Sequence, residues 1–139
     1  MMRYFDVTIR IPYADVDQMG VVYYANYLVY FERGRTEFLR KIGLDYRRME
    51  KDLSLFLPVK EVHLEYVAPV HYDDLIVIRT CIEKLGRASI NFTYAIFREH
   101  KEEKILITGY TNHVFINKEW KPSRIPVKVA QKIMPHVKP

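Results

Sequence analysis

The chain has little cysteine, no long apolar run and no signal-like N-terminus, and each absence narrows what it can be. Its single cysteine, Cys81, excludes an internal disulfide framework and fits a reducing compartment. No apolar stretch approaches the roughly 18 residues that span a bilayer. Residues 1–10 alternate polar and apolar types without the apolar core of a signal peptide. We therefore expect a cytoplasmic protein with one domain over residues 1–139, because 49% hydrophobic content at this length can bury a core.

The chain also lacks clustered charge and paired metal ligands. Its 22 basic and 17 acidic residues give a net charge of +5, but they are scattered along the sequence. Nucleic-acid binding would need a clustered basic face with exposed aromatics. The five histidines show no paired spacing of the H-x-x-x-H kind: His63, His71, His100, His113 and His136. We therefore expect neither nucleic-acid binding nor a metal centre.

Hydrophobic periodicity predicts one strand, one long helix and four further strands, in that order. Residues 5–13 alternate in the manner of a half-buried strand, although Pro12 interrupts the run. Residues 24–42 switch to helical spacing, and Gly43 ends the helix. Gly86 provides a tight reversal between the second and third of the remaining strand-like segments, which are residues 55–67, 75–83, 88–97 and 105–116.

This order of elements favours an α+β fold in which the sheet curls around the helix. One helix cannot cover a flat five-stranded sheet, and short hairpins between strands favour an antiparallel meander. A short C-terminal helix is expected from Pro126 to Met134, because proline is favoured in the first turn of a helix. The sequence thus predicts a hot-dog architecture: a five-stranded antiparallel sheet wrapped around one long central helix. A second subunit usually covers the edges and far face of such a sheet, so we expect a homodimer or homotetramer.

The segment Tyr13–Arg35, YADVDQMGVVYYANYLVYFERGR, carries most of the candidate chemistry. It places Asp15 and Asp17 on a short loop with Gly20, directly before the long helix. Free N–H groups at a helix start can polarise a carbonyl while a nearby carboxylate attacks it or directs water. The same residues also fit a plain strand-to-helix turn, in which the carboxylates only accept backbone N–H bonds.

This segment resembles the signature of the 4-hydroxybenzoyl-CoA thioesterase family, and is most similar to its YbgC-like acyl-CoA thioesterase branch. The resemblance is carried by Tyr13–Tyr24, Tyr27-Leu28, Glu32 and Arg35, then by Pro58-Val59, Ala68–Leu75, Thr108–Val114 and Ile125-Pro126. It covers about residues 3–130. The resemblance implies a hot-dog enzyme that hydrolyses an acyl-CoA to a free acid and coenzyme A. It implies no cofactor and no metal, with the coenzyme A thioester as substrate.

The resemblance also implies roles for particular residues. Asp17 matches the family's essential carboxylate, which would act as a nucleophile or as a general base on water. The backbone N–H at Tyr24 would polarise the carbonyl, and Gly20 would permit the tight turn that leads to it. Some members carry histidine where this chain has Tyr24, so the acyl preference stays open. Asp15 is expected to brace the loop by accepting backbone N–H bonds.

Two basic residues beside the Gly86 turn, Arg87 and Lys84, are candidates for contacting the phosphates of coenzyme A. The alternative is an ordinary solvated hairpin tip. A rival function is also open: a non-catalytic or weakly catalytic module that binds acyl carriers or anionic lipid surfaces through its basic residues. Retention of Asp17 favours the enzyme, because a chain specialised for binding could lose this carboxylate and keep the fold.

Overall fold

The computed structural model describes all residues from Met1 to Pro139. Its core is a five-stranded antiparallel sheet with the strand order β1-β3-β4-β5-β2. The strands are β1 (Phe5–Arg10), β2 (Val59–Tyr66), β3 (Leu75–Leu85), β4 (Ser89–Arg98) and β5 (Ile107–Val114). The helices are α1 (Asn26–Lys41), α2 (Tyr46–Leu53) and α3 (Val127–Ile133). None of the helices combines the length and the apolar content needed to cross a membrane.

The long helix α1 packs one side onto the sheet, as the periodicity predicts. Phe31 stacks on Tyr94 of β4 with ring centroids 4.1 Å apart. Full burial of an aromatic side chain of this size contributes about 1.5–3 kcal/mol. Gly34 lets the helix approach β3 closely, because a Cβ at this position would collide with Oγ1 of Thr80. The buried residues of the helix are Tyr27, Tyr30, Phe31, Gly34, Arg35, Phe38 and Leu39.

The sheet departs from the expected meander at one strand. β3, β4 and β5 follow one another, but β2 pairs with β5, and β1 pairs with β3. The prediction of a continuous meander is therefore wrong for β2. The physical reason is the connection formed by residues 67–74. Eight extended residues reach about 27 Å, whereas three strand spacings are only about 14 Å, so this connection can pass β5 and β4 before β3 begins.

The loop before α1 is longer than the periodicity predicts. β1 stops at Arg10, and Tyr13–Asp15 form a 3-10 turn, because Pro12 has no N–H to continue the ladder. α1 begins at Asn26 rather than at residue 24. Residues 11–25 therefore form a structure of their own between the strand and the helix.

Helix α2 has no counterpart among the sequence-based expectations. Oδ1 of Asp45 caps it by accepting hydrogen bonds from the backbone N–H groups of Arg47 (2.8 Å) and Arg48 (3.3 Å). The helix buries Met49 alone. Its apolar residues Tyr46, Met49 and Leu53 do follow helical spacing, but a segment of 8 residues is shorter than the window of about 11–18 in which periodicity indicates a helix.

Candidate active site

Asp17 lies in a short hairpin between the 3-10 turn and α1. Val16 and Val22 form an antiparallel bridge that closes the hairpin. The N–H of Asp17 donates to the carbonyl of Val21 (2.9 Å), and the N–H of Gly20 donates to the carbonyl of Asp17 (3.0 Å). Gly20 has a φ of +78°, and a Cβ there would meet nothing within 4 Å. Glycine is therefore required at this position for its backbone conformation and not for space.

The Asp17 carboxylate is half-buried and only partly committed to the chain. Its Oδ1 accepts a hydrogen bond from the N–H of Met19 (2.8 Å), which closes a tight turn. Its Oδ2 receives no hydrogen bond from the chain. A carboxylate that is held at one oxygen and free at the other is oriented, yet it can still attack a carbonyl or accept a proton.

Asp15 anchors the base of the hairpin to α1. Its Oδ2 accepts a hydrogen bond from the hydroxyl of Tyr30 (2.8 Å). Its backbone carbonyl accepts from the N–H of Tyr23 (2.9 Å) and from Nδ2 of Asn26 (2.9 Å). Burial, followed by the bond to Asp15, raises the pKa of Tyr30, so its hydroxyl keeps its proton and donates. Asp15 braces the loop as expected, but its carboxylate accepts from a side-chain hydroxyl instead of the backbone N–H groups that we expected.

Tyr24 stands two residues before the first residue of α1. Its side chain is 63% exposed, and its ring packs on that of Tyr23 with centroids 4.5 Å apart. Its carbonyl accepts a hydrogen bond from the hydroxyl of Tyr66 (3.0 Å), which fixes the orientation of the following peptide. Its backbone N–H donates to no acceptor of the chain. This N–H, close to the positive end of the helix, is therefore available to an external oxygen.

An apolar cavity of about 290 Å³ adjoins the hairpin and the start of α1. Its lining residues come from the hairpin, the helix and the end of β2: Val21, Val22, Tyr24, Tyr27, Tyr66, Val67, Ala68 and Pro69. The pKa of Tyr27 is raised, mainly by burial, and the charge of Asp17 adds to the rise. The cavity can hold an apolar group beside Tyr24, and Asp17 belongs to the hairpin that contributes Val21 and Val22 to its lining.

The connection of residues 67–74 is held against the hairpin by hydrogen bonds. The N–H of Val22 donates to the carbonyl of Val70 (2.8 Å), and the N–H of Tyr72 donates to the carbonyl of Gly20 (3.1 Å). On its other side, Nη2 of Arg98 donates to Oδ2 of Asp74 (3.0 Å). The connection that crosses the sheet therefore also supports the loop that carries Asp17.

Arg87 and Lys84 lie at the opposite end of the sheet from Asp17. The hairpin contacts the chain just before Leu75, where β3 begins, whereas Lys84 and Arg87 flank Leu85, where β3 ends. Eleven residues of strand span about 35 Å. Arg87 shares a groove of about 740 Å³ with Arg124. Within one chain, these basic residues are therefore separate from the Asp17 hairpin.

A buried polar network lies on the inner side of β5, beneath the second half of α1. Oγ1 of Thr111 contacts the hydroxyl of Tyr94 (2.6 Å) and Nε2 of His113 (2.8 Å). Nη1 of Arg35 donates to the same Tyr94 hydroxyl (3.4 Å), and Nδ1 of His113 lies 3.3 Å from the carbonyl of Leu57. Burial, aided by the charge of Arg35, lowers the pKa of His113 to about 4. His113 is therefore a neutral core residue at pH 7, and no group of three or more His, Cys, Asp or Glu side chains is arranged to hold a metal.

Sequence reasoning missed three residues that shape the site: Asn26, Tyr30 and Tyr66. Asn26 and Tyr30 could have been found from their spacing, because residues four apart lie on the same side of a helix. That side also faces Asp15 in the preceding loop. Tyr66 gave no such signal, since its contact with residue 24 depends on how β2 is placed beside α1.

A family model described as the thioesterase-like superfamily matches residues 11–133 of the chain. The putative acyl-CoA thioesterase YneP of Bacillus subtilis is 37% identical over 80% of this chain and 78% of the relative. The acyl-CoA thioesterase YbgC of Haemophilus influenzae is 34% identical over 68% of this chain and 69% of the relative.

The solved structure of 4-hydroxybenzoyl-CoA thioesterase from Pseudomonas sp. strain CBS-3 matches with a TM-score of 0.83. The match covers 94% of this chain and 99% of that one at 22% identity, so it bears on the fold alone. It confirms the predicted hot-dog fold. The family match and the two relatives confirm the expected resemblance and enzyme class. The chain belongs to the thioesterase-like superfamily and is a thioester hydrolase.

Proposed function

We propose that the chain hydrolyses the thioester of an acyl-CoA to a free acid and coenzyme A. One observation carries the proposal: the hairpin that bears the half-free carboxylate of Asp17 also lines, with Val21 and Val22, the apolar cavity that Tyr24 and its uncommitted N–H border. The names of YneP and YbgC, both acyl-CoA thioesterases, support the substrate class. The cavity would take the part of the acyl group nearest the thioester.

Asp17 is the proposed reacting group, and two routes use it. In the first, its carboxylate attacks the thioester carbon, the C–S bond breaks, and the thiolate of coenzyme A leaves. Water then hydrolyses the mixed anhydride and restores the carboxylate. In the second, Asp17 takes a proton from a water molecule, which attacks the same carbon directly. Both routes consume one water, and both yield one acid and one thiol.

The N–H of Tyr24 is the proposed donor to the carbonyl oxygen. Negative charge grows on this oxygen during either route, and a fixed N–H near a helix start stabilises it. A general base contributes roughly 10²–10⁴ in rate, and one oxyanion donor roughly 10²–10³. The two groups account for useful catalysis without a metal or cofactor, because the thiolate of coenzyme A is a good leaving group.

A second copy of the chain is proposed to pair with β2. This strand lies at the edge of the sheet, next to β5 only, and its backbone is open on the other side. Val59, Val62, Tyr66 and Val67, on or beside this strand, are 44–63% exposed, which is unusual for apolar residues so close together. Pairing of β2 with its own copy around a two-fold axis would cover these side chains and give a homodimer.

In such a dimer, Arg87 and Lys84 of one subunit would come close to the Asp17 hairpin of the other, which is not possible within one chain. Antiparallel pairing of the two β2 strands places the Gly86 end of one sheet at the same end as the Asp17 hairpin of the other. Coenzyme A is a long molecule with its phosphates remote from the thioester. We propose that Arg87 and Lys84, with Arg124 beside Arg87, contact those phosphates across the subunit interface.

A thiol-release assay on a panel of acyl-CoAs tests the function. Wild type is expected to release thiol at a rate that saturates with substrate, and Asp17→Asn is expected to be at least a hundredfold slower. Equal, slow release by both proteins would overturn the proposal. If both also bound an acyl-CoA or anionic vesicles tightly, the rival function as a binding module would replace it.

A further inference from the structure

We propose that Tyr30 and Asn26 are positioning residues, which hold Asp15 and through it set Asp17 and the N–H of Tyr24 around one substrate carbonyl. The inference rests on the proposed function and adds to it. Neither side chain need touch the substrate, because both act through residue 15.

Three hydrogen bonds converge on residue 15, two from side chains of α1 and one from the backbone of Tyr23 just before it. Tyr30 donates to its carboxylate (2.8 Å), while the N–H of Tyr23 and Nδ2 of Asn26 both donate to its backbone carbonyl (each 2.9 Å). Asp15, at the start of the hairpin, is thus bonded to Tyr23 at the end of the hairpin and to the first two turns of α1. These contacts are made at both the main chain and the side chain of Asp15, so they restrain position and orientation together.

The two proposed reacting groups lie next to these restrained atoms. Asp17 follows Asp15 by two residues, and Tyr24 follows Tyr23 by one. The hairpin between them has its own bridge at Val16 and Val22, so its internal pairing does not depend on the bonds to residue 15. Loss of the bonds at the base would let the carboxylate and the N–H drift apart while the hairpin itself stays folded.

Tyr30 is placed for this task in a way that packing alone does not require. It is 2% exposed, and a buried hydroxyl needs a partner. Tyr94, also on the inner layer, finds its partner in Thr111 within the sheet. Tyr30 instead reaches the only carboxylate at the base of the hairpin. Its ring is buried in the core, and the hydrogen bond from its hydroxyl to Asp15 restrains the loop.

The test is the variant Tyr30→Phe, with Tyr94→Phe as the matched control. Each loses one buried tyrosine hydroxyl, and both are assayed with an acyl-CoA well below their melting temperatures. A shift of about 1 Å at a reacting group costs on the order of a hundredfold. We therefore expect kcat of Tyr30→Phe to fall about ten- to a hundredfold with KM within about twofold. Tyr94→Phe is expected to lose stability but keep its kcat.

A mutant cycle shows whether Tyr30 acts through Asp15. Asp15→Asn keeps an oxygen that can accept from Tyr30 and should retain most of kcat, whereas Asp15→Ala should fall as far as Tyr30→Phe. The double variant Tyr30→Phe/Asp15→Ala should fall no further than either single change. Asn26→Ala should lower kcat in the same sense.

The outcomes separate this inference from the proposed function. If wild type turns over, Asp17→Asn does not, and Tyr30→Phe keeps its kcat while losing stability, then the hydroxyl is structural and the positioning role is wrong. Additive losses in the mutant cycle would also overturn it. If wild type and Asp17→Asn are equally inactive, the function itself has failed.

Discussion

Polar groups at the two ends of α1 differ in whether they are hydrogen-bonded and whether water reaches them. At its start, Asp17 keeps one carboxylate oxygen free, and the N–H of Tyr24 has no acceptor. Beneath its second half, Thr111 and His113 are each 1% exposed and hydrogen-bonded to one another. An unpaired polar group costs little where water reaches it and much where water is excluded. Groups available for chemistry therefore lie at the open end, and the polar groups of the buried end are paired apart from Nε of Arg35 and Oγ1 of Thr80.

Asp17→Asn should show the largest difference between the two ends of α1. This variant is expected to lose activity and to keep its stability. The amide oxygen of asparagine can still accept from Met19, so the turn is preserved. We expect kcat to fall by about 10²–10⁴, and the free energy of unfolding to stay within about 0.5 kcal/mol of wild type. Kinetics and urea denaturation of the same preparation measure both.

Asp73→Asn is the matched control, because the carboxylate of Asp73 is exposed at the same end and its one ion pair is with Nη1 of Arg10, at 3.8 Å. This variant should keep both kcat and stability. A large loss of unfolding free energy in Asp17→Asn would mean that the carboxylate supports the loop, and the contrast between the two ends would then disappear.

The next effect is a pH dependence that originates at the buried end. Burial lowers the pKa of His113 to about 4, whereas the unfolded chain takes up this proton near pH 6.5. Between pH 4 and 6.5 the unfolded state binds more protons than the folded state. The contribution of neutral His113 to the free energy of unfolding is therefore complete above pH 6.5 and is lost as the pH falls towards 4. It amounts to at most about 3 kcal/mol. Denaturation of wild type and His113→Gln across pH 4–7 measures it.

His113→Gln is expected to be less stable at pH 7 but to lose stability less steeply on acidification. The carboxylates titrate in both proteins, so the difference between their slopes isolates the histidine. Parallel slopes would show that His113 takes up its proton equally in the folded and unfolded states, contrary to its buried position.

The smallest effect compares two glycines in left-handed conformations. Gly20, in the hairpin, has a φ of +78°, and Gly43, after the end of α1, has a φ of +92°. Neither would meet more than ordinary contacts on gaining a Cβ. Alanine at either position should therefore cost about 1 kcal/mol of stability through backbone strain. Only Gly20→Ala should also lower kcat, and a Gly43→Ala variant with equally reduced kcat would contradict a special role for the hairpin.

The sequence predicts those features that depend on residues near one another in the chain. Alternation reveals the strands, a broad apolar stripe reveals α1, and Asp17 with Gly20 marks the loop. The order of the strands depends on pairing between residues such as Val62 and Thr111, which local periodicity does not encode. The same limit applies to the polar contacts of the site. The bond of Tyr66 to residue 24 spans 42 positions.

Helix α2 shows a second limit. Its cap at Asp45 and its apolar residues Tyr46, Met49 and Leu53 lie within one short segment, and 8 residues are too few for a helical period to stand out. Its neighbour α1 buries seven residues and is evident from the sequence. Sequence analysis thus predicts the helix of 16 residues and misses the one of 8.

The pairing of β1 with β3 also sets the order in which the molecule can be assembled. Phe5 pairs with Thr80, 75 residues later, whereas β3, β4 and β5 pair with their neighbours along the chain. Pairing between distant residues forms slowly, because a long loop must close first. On a ribosome, the Asp17 hairpin is made early but has to wait for Val70 and Tyr72 before it can be held in place. The Asp17 hairpin, though near the N-terminus, therefore reaches its final position only after the segment that follows β2 has been made.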